Sequence, residues 1–107
     1  MSPELKDRSY LWDMRDASRM IRDFVVATTF HEFEKDRKLQ LAVERLLEII
    51  GDAARRVSVE IPWRKIIAQR NVLAHEYGEI KLERIWVLVT GNIVDLISKL
   101  ETFTLDP

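Results

Sequence analysis

Arg70, Asn71, His75 and Tyr77 place a guanidinium, an amide, an imidazole and a phenol close together in the chain. On a helix Asn71 and His75, four residues apart, share a face. Arg70 and His75, five apart, are separated by about 140°. A long arginine side chain can bend across that angle where the helix loosens ahead of Gly78. Such a set suits RNA cleavage without a metal. In that reaction the 2′-hydroxyl attacks the adjacent phosphate and leaves a cyclic phosphate and a 5′-hydroxyl. It needs a proton acceptor, a proton donor and a cation for the charge developing on phosphorus. Histidine exchanges protons near neutral pH, and arginine holds phosphate oxygens in a fork while staying charged. One histidine cannot readily serve as acid and base in one step, so two copies of His75 from two protomers would complete the set.

A second reading of the same residues stays open. Arg, His and Tyr near a helix C-terminus can simply satisfy its last carbonyls. Other constellations are weaker. His31, Glu32, Glu34 and Asp36 match no standard metal-ligand spacing, and acidic residues ahead of a helix complement its dipole. Arg55 and Arg56 close a helix, where cations are favoured, and are also placed to touch a phosphate backbone. Arg64 and Lys65 precede Arg70 and extend a basic edge. Trp63 and Trp86 read as core anchors, not base-stacking platforms. The chain has no glycine-rich phosphate loop, H-E-x-x-H helix, G-x-S-x-G elbow or EF-hand loop, so no cofactor is expected.

The bulk properties set the frame. With 107 residues, a single domain over residues 1–107 is expected. Apolar residues at 47% and charged residues at 33% describe a globular chain. A net charge of -1 excludes a strongly basic nucleic-acid coat, though not a local basic site. Absence of cysteine removes disulfides, thiolate catalysis and zinc–thiolate sites. No apolar run reaches the ~20 residues of a membrane helix and no signal peptide is apparent, so a cytoplasmic protein is expected.

Three glycines and three prolines punctuate the chain, and apolar spacing of three and four predicts helices with no strands. The first helix is expected from Ser2-Pro3-Glu4 to about Thr29, with Leu11, Met14, Ala17, Ser18, Ile21, Phe24, Val25 and Thr28 on one face. Residues 31–36 read as a polar connection anchored by Phe30 and Phe33. The second helix carries the clearest stripe, from Leu39 through Leu46 and Ile50 to Val57, with Gly51 inside it for close approach of a neighbour. A short third helix follows Pro62, from Trp63 to about His75. A fourth runs from about Leu82 to Phe103, with Gly91-Asn92 placed to kink it or admit a neighbour. The fold class is an all-α antiparallel bundle. Leu41, Leu47, Val87, Leu88 and Val94 lie off the main stripes, and a homodimer is the simplest cover for that excess.

The ordered combination of motifs resembles the HepT-like toxins of the HEPN superfamily. Its parts are Arg45 to Ala54 with paired Ala53-Ala54, the Pro62-Trp63 start of the short helix, the R-x4-H-x-Y run of Arg70, His75 and Tyr77, and Trp86 in the last helix. Asp52 stands where many members have Glu. The resemblance implies a HEPN-type bundle of four or five helices that dimerises, with both motifs facing one cleft and RNA (transfer or messenger) as substrate. It makes Arg70 and His75 the catalytic pair and Asn71 an orienting residue for phosphate or imidazole. It also implies a partner, a minimal nucleotidyltransferase antitoxin of the MntA type, which modifies Tyr77 with AMP units. Added phosphates beside Arg70 would occupy the cation that RNA needs. The competing implication is a non-catalytic module that binds such a nucleotidyltransferase.

Overall fold

A computed structural model describes residues 5–57 and 82–104. Every regular element among them is helical: α1 (Leu5–Val25), α2 (Phe30–Lys35), α3 (Arg37–Arg56), α4 (Leu82–Val87), a π-helical turn (Leu88–Asn92) and α5 (Ile93–Thr104). The all-α class is therefore as expected. The short helix expected from Trp63 to His75 lies outside the described residues.

α1 is the hub, packing against both α3 and α5. It buries Leu11, Met14, Ala17, Ser18, Ile21 and Val25, the stripe its periodicity predicts. Phe24 departs from that stripe and is 40% exposed. α1 also stops earlier than the spacing suggests. Thr29 takes an extended conformation (φ -92°, ψ 162°) to cap α2, and a residue so placed cannot continue a helix.

The expected connection at 31–36 is itself mostly helical, because its polar residues build caps at both ends. The Thr29 hydroxyl accepts from the Glu32 N–H at 3.1 Å, and Glu32 Oε1 accepts from the Thr29 N–H at 3.0 Å, a reciprocal box. Asp36 Oδ1 then accepts from the Leu39 N–H at 3.0 Å and starts α3. Buried Gln40 donates from Nε2 to the carbonyls of Phe33 and Glu34, both at 3.0 Å, and closes α2. Below this turn Phe33 is fully buried against Trp86, with ring centroids 5.3 Å apart. Phe30 flanks the same indole at 6.1 Å. Trp86 is thus a half-buried aromatic anchor.

Direction follows from two contacts. α2, which follows the C-terminal end of α1, meets Trp86 in α4. Glu101, far along α5, meets Arg19 in the middle of α1 at 2.5 Å. The run α4–α5 is therefore antiparallel to α1.

Two residues assigned to the apolar excess are in the core. Leu47 is 5% exposed, so the buried arc of α3 is wider than the stripe. Leu88 is buried because the helix changes phase. On a straight α-helix, Ile85, Leu88 and Val89 would be out of register with Ile93, Leu96, Ile97 and Leu100 by about 75°. The π turn, where the Ile93 N–H donates to the Leu88 carbonyl five residues back, takes up that difference. The Thr90 hydroxyl donates to the Trp86 carbonyl at 2.7 Å, a back-bond that favours bending. Gly91 and Asn92 lie in this π turn. A Cβ on Gly91 would meet nothing within 4 Å. Leu41, Val87 and Val94 stay exposed, at 48%, 64% and 50%.

Candidate functional site

Arg70, Asn71, His75 and Tyr77 lie outside the described residues, as do Trp63, Arg64 and Lys65. What the structure describes is the pair of helices between which residues 58–81 run. On one side α3 ends at Arg56. Val57 is buried, and its N–H donates to the Ala53 carbonyl at 3.2 Å. On the other side α4 starts at Leu82, half-buried against the core, with Ile85 fully inside it. The chain therefore leaves and rejoins the core at residues held by apolar packing. Such anchoring is what a site on the intervening segment would need.

Charge at these ends is mixed. Arg55 pairs with Asp52 one turn earlier, so its cation is already engaged on the surface. Arg56 is exposed in the last turn of α3, where it complements the helix dipole. At the start of α4, Glu83, Arg84, Val87, Leu88 and Asn92 line a hollow of about 330 Å³ beside the π turn.

Two carboxylates of the acidic group at 31–36 are engaged in helix caps. Glu32 and Asp36 accept backbone N–H groups in caps, and His31 and Glu34 are exposed. Among the described residues no three carboxylate or imidazole groups come together as metal ligands would. No described helix is long and apolar enough to cross a membrane.

Sequence patterning passed over one feature of α1. Trp12 is 42% exposed, and the Arg15 guanidinium sits over its ring, 4.8 Å from the centroid. Its signal was a large aromatic residue off the apolar stripe, with Arg8, Arg15 and Asp16 three or four residues away.

Among the described residues the chain is an all-α bundle, and the run of Arg70, His75 and Tyr77 falls in sequence between α3 and α4. The chain matches the family described as ribonuclease HepT-like over residues 14–103, and it belongs to that family. Among its relatives, "Putative RNase MJ0127" of Methanocaldococcus jannaschii is 33% identical, across 97% of this chain and 92% of the relative. "Probable ribonuclease HepT" of Thermococcus cleftensis is 36% identical, across 88% of this chain and 92% of the relative. No solved structure matches the chain significantly.

Proposed function

We propose that this protein is a metal-independent endoribonuclease toxin, cytoplasmic and homodimeric, formed from one HepT-like domain. The observation that carries this reading is the HepT-like ribonuclease match over residues 14–103, which includes Arg70, His75 and Tyr77. RNase-named relatives at 33% and 36% identity support the same substrate class.

In the proposed reaction a 2′-hydroxyl oxygen attacks phosphorus and the bond to the 5′ oxygen breaks. One His75 takes the 2′ proton, and its copy in the second protomer protonates the leaving 5′ oxygen. Arg70 neutralises the non-bridging oxygens as charge builds, and Asn71 orients phosphate or imidazole. The products are a 2′,3′-cyclic phosphate and a 5′-hydroxyl. Transfer of AMP to Tyr77 by an MntA-type nucleotidyltransferase antitoxin would place phosphate beside Arg70 and block RNA access. The exposed Val87 and Val94, with the hollow beside the π turn, are the surface on which the second protomer is proposed to pack.

The test is cleavage of a broad RNA panel in EDTA, with intact mass recorded first. Wild-type protein should leave cyclic-phosphate ends, and His75→Ala and Arg70→Ala should lose cleavage while staying folded and dimeric. Cleavage that persists in both variants refutes the assignment. An inactive wild type of unmodified mass that retains a nucleotidyltransferase points instead to the non-catalytic module.

A further inference from the structure

The exposed side of α1 is sorted by charge. At 100° per residue, Arg8, Arg15, Arg19 and Arg22 fall within an arc of about 60°, and Trp12 borders it within about 20° more. Asp13, Asp16 and Asp23 lie on the neighbouring arc. From Arg8 to Arg22 the row is about 21 Å long, at a rise of 1.5 Å per residue.

Little of this row is needed to hold the fold. Among the described residues, Arg19 alone in this row has a tertiary ion pair, with Glu101 at 2.5 Å. Arg15 and Arg22 reach just the aspartate next in sequence, Asp16 at 3.4 Å and Asp23 at 3.1 Å. The Arg22–Asp23 pair is open to water on both sides, whereas the Arg15 side chain is 17% exposed beside an open Asp16. Open pairs contribute little and exchange readily for a stronger anion. The row is entirely arginine, whose planar fork matches phosphate oxygens. Trp12 keeps 42% of its surface in water with the Arg15 cation above its ring. Bases stack on such an indole irrespective of sequence. A cationic row with an aromatic step beside it is the build of a surface that tracks a single strand.

We propose that the Arg8–Arg15–Arg22 edge of α1, with Trp12, is a binding track for the backbone of single-stranded RNA, separate from the cleavage motif. The track rests on the ribonuclease reading for its ligand class alone. At about 21 Å the row spans several phosphates of a single strand. The track therefore favours long strands over short ones and lowers KM without setting kcat.

The probe is a fluorescein-labelled, uncleavable 2′-O-methyl RNA 12-mer, titrated by anisotropy from low to high salt, so binding is read without cleavage. With Arg8→Gln, Arg15→Gln and Arg22→Gln combined, the slope of log affinity against log salt should shrink by about 2, at about 0.7 per phosphate contact. The three arginines changed to lysine should keep the slope. The single Arg8→Gln and Arg22→Gln variants give the same reading, about 0.7 each, should the triple change unfold the protein. RNA should quench tryptophan fluorescence in wild type, and Trp12→Phe should lose that quench with Trp63 and Trp86 retained. On cleavable RNA the triple variant should raise KM at unchanged kcat. An unchanged slope with the quench retained in Trp12→Phe overturns the track, as does a wild type that does not bind the 12-mer. Cleavage by wild type alongside an unchanged slope overturns the track and leaves the ribonuclease reading standing. A reduced slope in a protein that cleaves nothing does the reverse. Loss of a protein partner with the RNA slope intact assigns the row to protein contact and likewise overturns it.

Discussion

The turn from Thr29 to Gln40 and the π turn from Leu88 to Asn92 both redirect a helical chain, by opposite means. In the first, side chains next to the bend satisfy the backbone: Thr29, Glu32, Asp36 and Gln40 supply the hydrogen bonds that the helix ends lack. In the second, no side chain caps the start of the turn, and the backbone widens so that two apolar sets meet one core. A local bend is held by polar chemistry that neighbours in sequence carry. A phase shift inside a helix is held by what packs against it. The first kind should tolerate loss of any one cap, and the second should answer to packing.

Phe33→Ala should break the first region most severely. It removes a fully buried ring from under the turn and its contact with Trp86, for a loss of about 3–5 kcal/mol, read by urea denaturation. A loss below about 1 kcal/mol would mean the turn does not depend on the core beneath it. Asp36→Ala removes one cap and leaves the packing, so about 1 kcal/mol should be lost, with helicity by circular dichroism nearly unchanged. Gly91→Ala acts on the second region and should carry the opposite sign. A Cβ there meets nothing within 4 Å, so the lower backbone entropy of alanine in the unfolded chain should add about 0.5–1 kcal/mol. A loss in its place would show that the π turn needs glycine itself.

How much was legible differs along the chain. The α3 stripe and the buried face of α1 follow from spacing alone, because a helix presents residues three and four apart to one neighbour. Leu47 was misplaced because the buried arc of α3 is wider than the stripe. Leu88 was misplaced because the spacing was read at one constant period, and the chain changes period at that point. Gln40 carried no warning: a buried glutamine is legible only when the carbonyls it serves are known. The motif at Arg70 to Tyr77 was legible as chemistry from residue type and order. Trp12 and the arginine row were legible as residues off the buried stripe of α1, but the seat of the Arg15 guanidinium over the Trp12 ring depends on side-chain placement that spacing does not carry.

The sequence by itself determined the helical class, the stripes of α1 and α3, and the ordered motif that marks a HepT-like ribonuclease. All of these are properties of short-range periodicity and residue chemistry. The tertiary structure alone decided that α1 is the hub, that residues 30–35 fold into a capped helix over Phe33, and that the last helical run changes phase at Leu88. It also decided that the Arg15 guanidinium sits over the ring of a half-exposed Trp12. Those outcomes depend on which surfaces α3, α4 and α5 cover, and burial is set by neighbours distant in sequence.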